Sequence, residues 1–526
     1  MVETLAARPY APLAFAVFGL ASALALLGLA WSGLPAIERA LTTPARRVFT
    51  NSAMPLAAQL FNRAVDLVFA AFALRLLGVT GNGQYAIAVV TWLYLKTISD
   101  FGLSVLVTRE VAQTPAAAAR LLGLTTLLRL AVLLALGPAV AAYIIASRQW
   151  FQLSPESVHA ILLLYLSLVP GSYSEAINSV FNGHERMHLP AALTVLTNFS
   201  RFGFGLAALF AGYGVPGLAA VSVLVTTISA LAFRLALRHL QVRPIWSFPL
   251  GEARRLLGLA WPLLLNGLLI TLFFRLDTFV IQAARGDRAL GIYDAAYKFA
   301  NLLLLIPSYF VLAIFPILSR QAGSEHLRDS FELAAKFLLL IAWPIVLGTM
   351  ALAPLMIRIL GGDAFLPEAA TVLRVLIWFT PLHYVNGVAQ YAIIAVNQQR
   401  QIARAYALAT VFNLVANLLL VPRFGYLAAA VITVLTEIVL FIPLRRAIHR
   451  YVGPVAWHWL ALAPLPAVIA MAGGILLSHW IGSIVAVTVG FLLYLIVLPL
   501  SRVVGPTEYR ILRELAGRPR AAGSRA

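Results

Sequence analysis

"FNRAVDLVFAAFALRLLG", residues 61–78, is apolar enough to cross a bilayer, yet it places Arg63 and Asp66 inside the run. A charge at the centre of a spanning helix costs roughly 2.5 to 3.5 kcal/mol on insertion scales, so such residues face protein or a water-filled cavity rather than lipid. A spacing of three puts both on one face of a helix. The stretch therefore reads as a membrane helix with one functional face.

The rest of the chain is built the same way. Its 526 residues are 61% hydrophobic and only 11% charged, with a mean hydropathy of +0.89, well beyond what a soluble core requires. Apolar runs of about 20 residues, the length of one crossing, recur from end to end and leave no gap for a soluble catalytic domain. The fold class is an all-α polytopic membrane protein with about fourteen spans. A further apolar run over about 11–35 reads as an extra N-terminal helix. Arg8 precedes it and Arg39, Arg46 and Arg47 follow it, the reverse of the charge pattern of a signal peptide.

Loop charge sets the orientation. When successive connections are assigned to alternate sides, one side collects most of the arginines, among them Arg109, Arg120, Arg186, Arg234, Arg238, Arg243, Arg400, Arg404, Arg445 and Arg446. The other holds Arg75, Arg148, Arg285, Arg288, Arg358 and Arg423. Cytoplasmic loops retain Lys and Arg, so the rich side is expected to face the cytoplasm, along with the basic tail at 504–526. The net charge of +19 is then topology and contact with anionic lipid. Nucleic acid is not expected as a partner, because a basic binding domain would be polar and contiguous.

Several chemistries are excluded. The chain has no cysteine, hence no disulfide, thiolate metal site or cysteine nucleophile. None of its three lysines, Lys96, Lys298 and Lys336, follows a glycine, so no phosphate-binding GxxxxGK[ST] loop exists. HExxH and GxSxG motifs are absent, and the nine histidines lack metal-ligand spacing. No cofactor, no metal and no enzymatic activity are expected. His383, inside a span beside Pro381, reads as a satisfied interior histidine rather than a proton carrier.

Internal symmetry is more informative. "GQYAIA" (83–88) is echoed by "GIYDAA" (291–296), and "NRAVD" (62–66) by "FRLDT" (274–278). "VFNGHERM" (180–187) with Asn198 matches "AVNQQRQI" (395–402) with Asn413, and "GYGVPGLAAV" (212–221) answers "RFGYLAAAV" (423–431). The expected organisation is an N-terminal extension (1–49), a six-helix N-lobe (50–238), a cytoplasmic linker (239–254), a six-helix C-lobe (255–448), two further helices (449–503) and the tail (504–526). An even number of spans per lobe makes the repeats parallel, as in alternating-access transporters.

The repeats bring Arg63 and Asp66 into correspondence with Arg275 and Asp277, and the next helices add Lys96, Asp100 and Lys298, with Asp294 beside it. These seven residues, Asp294 excepted, are the candidate substrate site: a hydrated cationic cavity for an anionic cargo, since arginine grips phosphate oxygens through two parallel hydrogen bonds. The competing reading makes Arg63 with Asp66, and Arg275 with Asp277, internal pairs that only lock helices.

Residues 77–113, "LGVTGNGQYAIAVVTWLYLKTISDFGLSVLVTREVAQ", with 274–320, "FRLDTFVIQAARGDRALGIYDAAYKFANLLLLIPSYFVLAIFPILSR", resemble the polysaccharide biosynthesis flippases, of the superfamily that also holds multidrug and toxic compound extruders and lipid II flippases. The order of a GxY, a DFG-L and an R-E pair carries the likeness over about 50–450. The resemblance implies a flippase moving undecaprenyl-diphosphate-linked oligosaccharide across the cytoplasmic membrane for cell-surface polysaccharide synthesis, with membrane lipids, a polysaccharide polymerase and glycosyltransferases of the same pathway as partners. A diphosphate sugar cannot cross hydrocarbon unaided, because burying unpaired charge is prohibitive. Two alternatives stand beside it. A multidrug exporter of the same superfamily would want acids not neutralised by arginine, and a polytopic polyprenyl-sugar glycosyltransferase would want an acidic catalytic loop outside the membrane.

Overall fold

The computed structural model describes residues 11–32, 44–150 and 153–501; the basic tail expected on the cytoplasmic side lies outside them. Every regular element among the described residues is helical. This follows from the solvent, because in hydrocarbon a helix satisfies its own backbone hydrogen bonds without a partner strand. The helices are α1 (Ala11–Ser32), α2 (Pro44–Asp100), α3 (Leu103–Gln113), α4 (Ala118–Trp150), α5 (Pro155–Gly183), α6 (His188–Phe210) and α7 (Gly214–Ala236). They continue with α8 (Leu250–Leu303), α9 (Leu305–Arg320), α10 (His326–Gly361), α11 (Glu368–Leu376), α12 (Phe379–Ala395), α13 (Gln399–Phe424), α14 (Tyr426–Tyr451), α15 (Trp457–Leu462), α16 (Leu465–Ser478) and α17 (Ser483–Leu500).

Among the described residues, twelve helical stretches are long and apolar enough to cross a membrane. Two of them, 57–113 and 250–320, run for 57 and 71 residues. At ~1.5 Å per residue each is more than twice as long as one crossing of a ~30 Å core needs. Counting each as two gives about fourteen crossings, α1 included. Both long helices break at a glycine in the left-handed region with nearly the same backbone angles, Gly78 (φ 68°, ψ −174°) and Gly286 (φ 75°, ψ −174°). A side chain at either position would be strained, so glycine sets the break.

Beyond the breaks, the two second limbs cross at the glycines of the GQYAIA and GIYDAA echo. A Cβ on Gly83 would lie 1.8 Å from the Asp287 carbonyl oxygen, and one on Gly291 1.9 Å from that of Val79. The approach is reciprocal at a constant offset of 208 residues, with Gly83 against Asp287 and Gly291 against Val79. Small residues permit such approach where lipid supplies no hydrophobic drive for helix association. Asn82 Nδ2 ties the crossing by donating to the Gly291 carbonyl at 2.9 Å.

The chain divides into two compact units, one of residues 1–298, 357–369 and 410–432, the other of residues 299–356, 370–409 and 433–526. In the first, the buried core joins Leu103, Leu106 and Leu121 to Ile177, Phe181, Leu193 and Phe233. The N-terminal run is a packed helix of this unit. Gly19 and Gly203 meet so closely that a Cβ on Gly203 would lie 2.4 Å from the Gly19 amide nitrogen. Phe15 stacks on Phe210 at 5.3 Å, and Phe18 meets Phe199 edge-on at 5.8 Å. At the far end of α1, His239 Nε2 lies 3.0 Å from the Ala30 carbonyl oxygen and Arg238 covers the Trp31 ring at 3.6 Å.

In the second unit α16 and α17 pack through Ala467, Met471 and Tyr494, whose hydroxyl donates to the Leu340 carbonyl at 2.9 Å. His383 Nδ1 lies 2.8 Å from Glu437 Oε1, and Asn386 Nδ2 donates to Glu437 Oε2 at 2.7 Å. The histidine is thus satisfied by a carboxylate that is only 2% exposed.

Candidate functional site

Five elements of the first unit, the second limb of α2 with α4, α5, α6 and α7, enclose a cavity of about 290 Å³. That is close to the lower size of small-ligand sites, ~300 Å³. Two of the sequence candidates, Lys96 and Asp100, line it. They lie four residues apart on α2, but each finds its counter-charge on another helix. Lys96 Nζ is 3.9 Å from Glu175 Oε2 on α5, and Asp100 Oδ1 is 2.8 Å from Arg129 Nη2 on α4. The Arg129 side chain is only 1% exposed. Its Nη2 also donates to Ser104 Oγ at 3.0 Å, while its Nε and Nη1 have no hydrogen-bond partner among the described residues.

The remaining wall is rich in hydroxyls and amides, with Ser172, Asn178, Thr194, Thr197, Asn198 and Thr226 among the lining residues. Several of these hydroxyls give their proton to their own helix: Thr194 to the Pro190 carbonyl, Thr197 to Leu193 and Thr226 to Ser222, each at 2.8 Å. Such back-bonding lets a polar residue sit in a membrane helix and turns its oxygen lone pairs outward as acceptors. Free donors come from Arg129 and from Trp92, whose Nε1 is buried without a hydrogen-bond partner among the described residues. Two cations, Lys96 and Arg129, balance two carboxylates, Asp100 and Glu175. The cavity therefore presents donors and acceptors at no net charge, an arrangement suited to a hydroxyl-bearing ligand. It does not have the net cationic character that the sequence suggests for the site as a whole.

The other candidates are placed differently. Asp66 pairs with Arg201 of α6 at 2.5 Å, while Arg63 is exposed and has no ion-pair partner among the described residues. Asp277 is buried; it accepts from the Tyr293 hydroxyl and, at 2.8 Å, from the Thr278 amide. Arg275 lies over the Tyr297 ring at 4.7 Å, a cation–π contact, and it too has no acidic partner among the described residues. Neither Arg63 with Asp66 nor Arg275 with Asp277 is a direct ion pair among the described residues. Lys298 donates to Asp294 Oδ2 at 2.5 Å, and Asn82 Nδ2 donates to the same oxygen at 3.3 Å.

Arg129, Glu175 and Arg201 are absent from the sequence candidates, although each is a charge inside an apolar span. The rule that singled out Arg63 would have found them. None of the three lies in a stretch that the second half visibly echoes.

The family model described as polysaccharide biosynthesis protein matches residues 48–322, and the MatE model matches 262–419. Among curated proteins, the probable flippase AglR of Haloferax volcanii is 26% identical over 171 residues, which are 31% of this chain and 35% of that protein. The chain thus spans about a third of the length of the curated relatives it matches. Among solved structures, the lipid II flippase MurJ in an inward closed conformation superposes with a TM-score of 0.72 at 15% identity, covering 88% of this chain and all of that one. An inward-facing multidrug resistance transporter of the MATE family and MOP superfamily gives a TM-score of 0.59 at 15% identity, over 77% of this chain and 98% of that one. At these identities the likeness to both structures is one of fold.

Proposed function

The chain belongs to the polysaccharide biosynthesis protein family, whose model covers just over half of it, and from that premise we propose that it is a flippase for undecaprenyl-diphosphate-linked oligosaccharide in the cytoplasmic membrane. The observation that carries this reading is the charge-balanced polar cavity set among helices built for hydrocarbon. A polar solute is the cargo that such a cavity, with Lys96, Asp100, Arg129 and Glu175 in its wall, suits best. The proteins it resembles are named as flippases and transporters, not enzymes.

The mechanism follows from the cargo. A diphosphate sugar carries a strongly hydrated, charged head on an apolar tail, so the head needs a polar path while the tail stays in lipid. In this reading the uncharged sugar hydroxyls exchange water for the hydroxyls, amides and unpartnered donors of the cavity, so little hydrogen bonding is lost on entry. The negative diphosphate is drawn to arginines without acid partners, Arg63 and Arg275, whose planar forks match phosphate oxygens. Lobes 50–238 and 255–448 rock about the loaded head group, opening the site first to one leaflet and then to the other. Arg63, Asp66, Lys96, Asp100, Arg275, Asp277 and Lys298, joined by Arg129 and Glu175, form the site in this reading. The polymerase and glycosyltransferases of the pathway supply and consume the cargo.

The MatE match leaves a multidrug exporter as the second reading. A cationic drug, however, would find both cavity carboxylates already facing a cation.

The test is reconstitution of the purified chain in liposomes with a fluorescent polyprenyl-diphosphate glycan in one leaflet. Transfer to the other leaflet without ATP is expected. Strict dependence on ATP, or export of cationic dyes with no movement of the glycan lipid, would overturn the proposal.

A further inference from the structure

The sixth helix of each repeat ends in a basic cleft. At the end of α7, Arg234, Arg238 and Arg243 line a cleft of about 620 Å³ with Tyr173 and Trp246. At the end of α14, Arg445, Arg446 and His449 line one of about 600 Å³ with Phe441 and Trp457. Three lining positions correspond at an offset of 211: Arg234 with Arg445, Arg238 with His449, Trp246 with Trp457. The buried positions beneath follow the same register, Ala236 with Ala447 and Leu237 with Ile448. In both, the chain leaves the helix through a residue of positive φ, Gln241 (54°) or Gly453 (131°). It then passes a proline, Pro244 or Pro454, and delivers the tryptophan to the cleft.

The charges in these clefts are unmatched, unlike others expected on the same face. Arg120 pairs with Glu252 at 3.1 Å, Arg255 with Glu110 at 3.9 Å, and Arg328 with Glu332 at 3.6 Å. Arg234, Arg243, Arg445 and Arg446 have no acidic partner among the described residues, and no acid lines either cleft. Arg238 uses only the face of its guanidinium, against Trp31, which leaves its edge free to donate. The tryptophans meet aromatic neighbours, Trp246 with Tyr173 at 6.0 Å and Trp457 with Phe441 at 5.0 Å. Indole at the lipid–water boundary is the side chain that holds one end in lipid and one in water. Retention of loop arginines for topology alone requires neither a concave site nor its repetition around a tryptophan.

The geometry points to two equivalent binding sites for the phosphate of an anionic phospholipid in the leaflet that the arginine-rich loops face. Arginine forks hold the phosphate oxygens, and basic recesses at helix ends of this face suit anionic head groups. A resident phospholipid fits two equivalent clefts, both outside the polar cavity, better than a single cargo head group does.

Native mass spectrometry of the full-length protein with phosphatidylglycerol or phosphatidylcholine tests the assignment. Two phosphatidylglycerol molecules are expected to survive activation that strips phosphatidylcholine. The double variants Arg234→Gln with Arg238→Gln, and Arg445→Gln with Arg446→Gln, should each retain one fewer. Arg400→Gln with Arg404→Gln, which line neither cleft, should retain both. If a cleft variant does not fold, Trp246→Phe and Trp457→Phe serve instead, each removing part of the fluorescence quenched by brominated phosphatidylglycerol. Equal retention by all variants, an equal loss in the Arg400 and Arg404 control, or displacement by equimolar polyprenyl diphosphate would overturn the assignment.

Discussion

The second limbs of α2 and α8 each carry a lysine and an aspartate four residues apart, and they use them in opposite ways. On α8 the acid comes first, and Asp294 and Lys298 close on each other at 2.5 Å. On α2 the lysine comes first, and Lys96 and Asp100 reach away, to Glu175 and Arg129 on other helices. Side chains on a helix lean toward its N-terminus, so an acid N-terminal to a base at this spacing pairs better than the reverse order. One order yields a self-neutralised pair that Asn82 secures beside the Gly83–Gly291 crossing. The other leaves two charges for interhelical use, and the cavity lies among their partners. The same composition therefore gives a clamp in one limb and a polar site in the other.

The largest effect is expected where the α2 arrangement is most buried. Arg129→Gln leaves Asp100 without its cation, and breaking a buried pair on one side costs about 3–5 kcal/mol. Chemical or thermal unfolding in detergent should show this loss, and adding Asp100→Asn should recover much of it. If the double variant is no more stable than the single one, the pair is not the unit described here.

The α8 clamp predicts a different outcome. Lys298→Met should destabilise by about 1–3 kcal/mol, because Asp294 keeps the Asn82 hydrogen bond but loses its charged donor. Exchanging the order on α2, with Lys96→Asp and Asp100→Lys, should let the two residues pair with each other and strip both partners. Stability would then fall further than in Lys298→Met, and a fall no larger would show that residue order does not govern the difference.

Lys96→Gln should change stability by under about 1 kcal/mol, since its 3.9 Å pair is long and partly exposed, while slowing glycan transfer in liposomes. Arg63→Gln should likewise leave the unfolding midpoint near that of the parent, because its side chain has no ion-pair partner among the described residues, yet abolish transfer. Arg63→Lys should keep part of the transfer, having the charge without the fork. A collapse of stability in Arg63→Gln would show that Arg63 locks helices, although Asp66 pairs with Arg201.

Much of the fold is legible in the sequence because one-dimensional signals decide it. Apolar runs mark the helices, and "GQYAIA" with "GIYDAA" marks the crossing through its glycines, whose packing role depends on having no side chain. The breaks are less legible. Proline is the usual cause of a helix kink, yet Pro262, Pro316, Pro344 and Pro354 lie within helices rather than at their breaks. The two long helices break instead at Gly78 and Gly286, where left-handed angles rather than a missing donor set the path. Of the candidate site, Lys96 and Asp100 are readable as charges in a span, but their partners are not. Arg129 and Glu175 lie tens of residues away on other helices, and only packing brings them to the cavity. Internal repetition is a filter for symmetric features, and this cavity is asymmetric.

The central claim is that the cavity lined by α2 and α4 to α7 receives the glycan head group. The chain has no native cysteine, so Thr194→Cys, exposed at the cavity wall, can be labelled alone in reconstituted protein by a small thiol reagent. Polyprenyl-diphosphate glycan should slow the labelling at least several-fold, polyprenyl phosphate without sugar should slow it little, and Tyr213→Cys, 69% exposed outside the cavity, should be unaffected. Labelling of Thr194→Cys at the same rate with and without the glycan lipid, under conditions where the protein transfers that lipid, would contradict the account.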